Sequence, residues 1–164
     1  MAKNCAFLLV MMIFHLAGCK SAESTIAVQN LKNYDAKSAN HILFLDFEIT
    51  KKGKNRETAE LVNAVSGSGK MKALVPPVHS PYQIRVVPHY ANDRLEIPLA
   101  FEHPLYRSVE VASVDGKLSK QDLSAKKGTL SFRIQDDKAL EKVEIYSVTP
   151  EKGNIKIYTL TLKQ

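Results

Sequence analysis

Tryptophan is absent from this 164-residue chain and cysteine nearly so, with Cys5 and Cys19 the only two. Residues 20 to 164 therefore hold no disulfide, no thiolate nucleophile and no cysteine ligand for a metal, and a fold built there must rest on its core. Long apolar runs are also lacking. The one sizeable stretch, Ala6 to Ala17 broken by His15, is shorter than the roughly 20 residues a bilayer-spanning helix needs. No window sustains apolar residues at a 3.6-residue period, so neither a helical bundle nor an alternating α/β architecture finds support. Histidine is scarce, and no two of His15, His41, His79, His89 and His103 stand two or four residues apart. Those are the spacings at which a strand or helix presents a pair of imidazoles to a metal.

What is present begins at the N-terminus. Met1-Ala2-Lys3-Asn4-Cys5 carries one positive charge, the apolar run follows, and Leu16-Ala17-Gly18-Cys19 ends it. This is the layout of a secretory signal. The final four residues resemble the lipobox of bacterial lipoproteins, a leucine and two small residues before a cysteine, and the resemblance covers this segment alone. It implies cleavage between Gly18 and Cys19, diacylglycerol on the Cys19 thiol and, usually, an acylated new amino terminus. Two or three chains at about 0.8 kcal/mol per buried methylene hold a protein on a membrane. The expected organisation is a signal over 1–18, a lipidated cysteine and short tether over 19–24, and one domain over 25–164. By the best-known sorting rule of such proteins, Lys20 after the cysteine implies the bacterial cell envelope, at the outer membrane facing the periplasm in a Gram-negative cell.

The domain reads as strands. His41 to Thr50 sets Leu43, Leu45, Phe47 and Ile49 on one face and Ile42, Phe44, Asp46 and Glu48 on the other. With its first half apolar on both sides, this segment is expected to lie between two layers. Glu57 to Val65 returns as a strand with Ala59, Leu61 and Val65 inward. Further strands are expected over 25–29, 71–75, 82–87, 94–100, 107–114, 129–135, 142–148 and 154–162, with turns at Lys51 to Asn55, Ser66 to Gly69 and Thr149 to Gly153. The best helical candidate is the short Asp136 to Glu141. The expected fold class is all-β: a single β-sandwich, immunoglobulin-like or transthyretin-like, of about eight to ten short strands, with a small β-barrel as the alternative.

Chemical motifs are weak throughout. The formal charge of +6 is spread over lysines with acids among them, and no nucleic-acid-binding module is present. Ser66-Gly67-Ser68-Gly69-Lys70 has Ala64 where a phosphate-binding loop needs its first glycine and Met71 where it needs Ser or Thr, so it reads as a turn. His79, His89 and His103, with Asp93 and Glu102, could meet at a metal only if the fold gathered them. Ser80, His79, His89 and Asp93 come without the G-x-S-x-G elbow of a hydrolase, and Asp136-Asp137 reads as a cap or turn. No catalytic residue, cofactor or metal is expected.

Six of the seven prolines fall between Pro76 and Pro104, together with His79, Tyr82, His89, Tyr90, Phe101 and His103. Proline marks strand edges and loops, so these six side chains form the expected contact surface. The expected function is a non-catalytic, membrane-anchored lipoprotein that binds an envelope protein or helps assemble an envelope complex. Alternatives are a glycan- or peptide-binding lipoprotein using Tyr82, Tyr90, Phe101 and His103, and an inhibitor or immunity protein of an envelope hydrolase with a protruding loop over Gly116 to Gly128.

Overall fold

A computed structural model describes residues 21–53, 56–72, 78, 80–92, 94–114 and 116–164. The signal, Gly18 and Cys19 lie outside the described residues. Among the described residues ten strands form: β1 (Ala22–Ala27), β2 (His41–Lys52), β3 (Arg56–Ser68), β4 (Gln83–Tyr90), β5 (Leu99–Glu102), β6 (Tyr106–Ala112), β7 (Leu118–Ser124), β8 (Lys127–Asp136), β9 (Leu140–Thr149) and β10 (Gly153–Lys163). A 3-10 turn, Val28–Asn30, follows β1. One sheet has the order β1-β10-β9-β4-β5, a second has β3-β2-β8, and β6 and β7 pair only with each other. All neighbours are antiparallel except β1 and β10. The fold is all-β, and its sheets face each other as a sandwich without closing into a barrel.

Alternation in β2 does the main work. Leu43, Leu45, Phe47 and Ile49 are fully buried and meet Leu130, Phe132 and Ile134 of β8 beside them. The facing sheet supplies Ile84, Val86, Val143, Ile145 and Leu160 to the same core. Aromatic contacts bind the two layers. Phe47 meets Tyr158 edge-on at 5.2 Å and Phe101 reaches Phe132 at 5.8 Å across the layers, while Phe47 and Phe132 stack at 5.7 Å within their own sheet. Each such side chain contributes about 1.5–3 kcal/mol by leaving water.

The outer face of β2 corrects one expectation. Phe44 stays 40% exposed, because the three-stranded sheet is covered on one side only. A bulge corrects another. The β2–β3 register passes from Asp46↔Asn63 to Phe47↔Leu61, leaving Val62 as the extra residue. A one-residue insertion exchanges the two faces of a strand. Before the bulge Glu57, Ala59 and Leu61 point inward. After it Ala64 and Ser66 do, so Val65, expected inside, is carried to the outer face opposite Phe44.

Other differences are local. β1 starts at Ala22, inside the expected tether, and β5 is confined to 99–102 rather than 94–100. Asp136 to Glu141 is a tight turn, not a helix: the Asp137 carboxylate and carbonyl accept from the N–H groups of Ala139 and Leu140 at 2.9 and 2.8 Å. β7 occupies the segment expected as a protruding loop. Of the strand expected over 71–75, Met71 and Lys72 are irregular and the remainder lies outside the described residues.

The link from β5 to β6 passes tightly over the start of β8. A Cβ placed on Gly128 would stand 2.7 Å from the Pro104 carbonyl oxygen. Gly128→Ala is expected to destabilise the domain by about 1–3 kcal/mol through overpacking against backbone, measured by the urea midpoint; an unchanged midpoint would mean the link yields freely.

Candidate functional site

One end of the sandwich gathers polar side chains that the sequence scatters. It is formed by the end of β2 and the start of β3, the β9–β10 turn, the β5–β6 link, the start of β1 and the root of the β6–β7 hairpin. At its centre is Glu57, the first inward residue of β3, with a side chain only 2% exposed. Its Oε2 accepts from His103 Nε2 at 3.2 Å, and its Oε1 accepts from the Tyr106 hydroxyl at 2.9 Å and Lys152 Nζ at 3.4 Å. Burial alone would raise the Glu57 carboxyl. The hydrogen bonds from His103, Ser147 and Tyr106 more than offset this and bring it down to about 2. Burial, with the hydrogen bond to the same carboxylate, pushes the Tyr106 phenol upward.

The cluster contains Ser147, His103 and Glu57, the side-chain types of a hydrolytic triad, in a different arrangement. His103 Nδ1 accepts the Leu105 N–H at 3.2 Å, which fixes the Nε2–H tautomer. Ser147 Oγ, at 3.1 Å, and Glu57 both face that same Nε2. A general base needs a free nitrogen lone pair toward the serine and its acid partner on the other nitrogen. Here the ring is a fixed donor that fastens the β5–β6 link to β3 and β9.

Tyr106 carries this rigidity outward. Its ring meets His103 edge-on at 4.7 Å and stacks on Tyr82 at 4.8 Å. The Tyr82 hydroxyl donates to Glu151 at 2.8 Å, and that bond raises the Tyr82 phenol. Beside the two rings opens a cleft of about 450 Å³ lined also by Lys51, Arg107, Lys120 and Asp122. The β6–β7 hairpin rises from this root. Ala125 N–H donates to the Leu105 carbonyl at 2.8 Å and Lys51 Nζ to Ser124 Oγ at 3.3 Å, closing its base. Beyond, every residue of β7 is exposed, and Val111, Val114 and Leu118 stand in solvent around the tip.

The six expected contact residues do not converge. Tyr82 is at the cleft. His103, expected at the surface, is buried, because its ring satisfies Glu57, Ser147 and Leu105. Phe101 turns toward the core against Phe132. Tyr90 is partly buried against the core, with the Arg94 guanidinium 4.7 Å over its ring, in a separate depression of about 360 Å³ that includes Leu95 and Ile97. His89 lies on the outer face of the five-stranded sheet, with Nδ1 2.8 Å from Glu96 and Nε2 3.2 Å from Glu144. Burial would raise Glu144, but bonds from Tyr146, Lys156 and Lys142 bring it to about 2, and Tyr146 is pushed up to about 12 by burial and that bond. His79 lies outside the described residues. Among the described residues no three His, Cys, Asp or Glu side chains are grouped as metal ligands.

Sequence reasoning missed Glu57, Tyr106, Ser147 and Lys152. A signal for Glu57 was present: it shares the strand phase of Ala59 and Leu61, which places it inside. Comparison with protein-family models, curated proteins and solved structures finds no match.

Glu57 has a lower pKa folded than unfolded, so its contribution to stability is present above about pH 4.5 and is lost as pH falls toward 2. Glu144 adds loss in the same window. Glu57→Gln is expected to be less stable by about 3–5 kcal/mol near neutral pH, the scale for breaking a buried pair, and to decline less steeply than the wild type on acidification. Denaturant titrations from about pH 7 to about pH 2.5 check both; parallel curves for the two proteins would contradict the assignment.

Proposed function

We propose that this chain is an extracytoplasmic lipoprotein of the bacterial envelope, tethered through Cys19, whose β-sandwich holds out the β6–β7 hairpin as an arm for a partner protein. The hairpin is the observation that carries the reading. A lone two-stranded ribbon is marginal in water, yet this one is fastened at its root by a buried carboxylate and presents Val111, Val114 and Leu118 at its tip. Exposed apolar groups gathered on a projection mark an interaction surface. The lipid tether is supported by Leu16-Ala17-Gly18-Cys19.

The start of β1 and the hairpin root belong to the same end of the sandwich. Ser21 and Ala22 border a cavity of about 250 Å³ together with Arg56, Glu57 and Lys152, and Glu57 binds Tyr106. On this reading the arm works within reach of the membrane, on a partner that is itself membrane-associated.

A photo-crosslinking side chain placed at Val114 or Leu118 in native cells is expected to give a discrete adduct with one envelope protein, and the Val114 adduct is expected to be lost when Leu118→Asp is added. Recovery of the uncrosslinked chain alone from every tip position would sink the partner reading. Separately, Cys19→Ser is expected to abolish labelling by radioactive fatty acid and leave a precursor; normal labelling would refute the tether.

A further inference from the structure

The two faces of the β6–β7 ribbon differ in composition, and the apolar one is turned away from the sandwich. Ser108 stands opposite Asp122 and Glu110 opposite Lys120, so these four side chains share the face of Tyr106. Tyr106, Ser108, Lys120 and Asp122 line the cleft beside Tyr82, which turns that polar face toward the body of the domain. Val109 and Val111 alternate with them and stand on the reverse face with Leu123, Gln121, Ser119 and Arg107. Of this second set only Arg107 and Leu123, nearest the root, also reach the cleft. Both carboxylates of the paired strands, Glu110 and Asp122, are on the cleft face, and the reverse face carries one charge, that of Arg107. Among the described residues β6 and β7 pair with no strand but each other, and Val111 and Leu123 are 39% and 47% exposed. An antiparallel pair with one solvated side ordinarily turns its apolar face to the core and its polar face to water. Here that order is reversed, so the apolar face is built for something outside the domain.

We infer that this face lies on the bilayer to which Cys19 is attached, with Val109, Val111 and Leu123 in the interfacial layer and Arg107 at the headgroups. The inference rests on the tether proposed above. On that reading only Cys19 and Lys20 stand between the lipid and Ser21, a reach of about 7 Å. Ser21 borders the cavity that holds Glu57, and Glu57 binds Tyr106, the first residue of β6, so the ribbon starts at the end of the sandwich that is held to the membrane. Apolar side chains beside a cation, with no acid on their face, suit the boundary between acyl chains and anionic headgroups. The bilayer, unlike a protein partner, is present at this end of every tethered copy. Leu118 stands on the cleft face opposite Ala112, and Val114 lies in the turn, so both stay open to the partner protein.

The test uses the full chain, purified from cells fed radioactive fatty acid and reconstituted in nanodiscs of phosphatidylethanolamine and phosphatidylglycerol. Ser108→Cys, Val109→Cys, Glu110→Cys and Val111→Cys each receive an environment-sensitive fluorophore, and nitroxide-bearing lipids serve as quencher. Blue-shifted emission and strong quenching are expected at the Val109 and Val111 positions and neither at Ser108 and Glu110. Such a period of two marks a ribbon lying on one face. Adding Leu123→Asp, exposed and on the same face, is expected to abolish quenching at the Val111 position and to leave the circular dichroism spectrum unchanged. Absent quenching at every position, on a chain that carries its fatty acid, would overturn the membrane contact while the tether stands, and equal quenching at every position would overturn it too. A chain without fatty acid would overturn tether and contact together. A discrete protein adduct from a photo-crosslinker at Val111 in native cells, with no quenching in nanodiscs, would give the face to a protein instead.

Discussion

A carboxylate held charged inside a β-sandwich organises one whole end of this molecule. Isolated in an apolar interior, Glu57 would take up a proton, because desolvation of the anion is far too unfavourable to sustain. It remains ionised because His103, Tyr106, Lys152 and Ser147 converge on it from the β5–β6 link, the hairpin root, the β9–β10 turn and β9. The four donors are far apart in sequence and each is fixed by the need of the same oxygens. That convergence pins the three-residue β5–β6 link, His103 to Leu105, and gives β6 a defined direction of departure.

The outer face of the five-stranded sheet follows the same rule at lower cost. Glu144 is shielded by Lys142, Lys156, Tyr146 and His89, so its charge is met by neighbours on the surface rather than by a converging core. Two depressed carboxylates therefore serve different ends. One locks layers together across the sandwich; the other knits β4, β9 and β10 along a single sheet. Both networks are made of side-chain hydrogen bonds and ion pairs, in a chain whose cysteines are confined to its first nineteen positions.

The fold class was legible because burial imposes a period of two. Leu43, Leu45, Phe47 and Ile49 declare β2 and its inner face without further information, and the strands over 129–135, 142–148 and 154–162 follow likewise. What was illegible has physical causes. The bulge at Val62 exchanges faces midway through β3, and no local residue signals it. β7 has little alternation to read, since a strand exposed throughout is under no pressure to segregate its side chains. Asp136 to Glu141 has helix-capping chemistry, but Asp137 spends it closing a turn. At the candidate site, Tyr82 could be picked out by composition. Glu57 could be placed inside by its phase with Ala59 and Leu61, but Ser147 and Lys152 look like surface residues until pairing brings them to His103 and Glu57.

The parallel pairing of β1 with β10 also has a mechanical side. Six consecutive residue pairs, from Ala22↔Tyr158 to Ala27↔Lys163, join these two strands. Tension drawing the body of the domain away from Ser21 along the strand axis loads those pairs together in shear, whereas a strand peeled sideways would lose its bonds singly, in succession. The first described strand is thus built as a strap, able to transmit a pull into the sheet without beginning to unravel at either end.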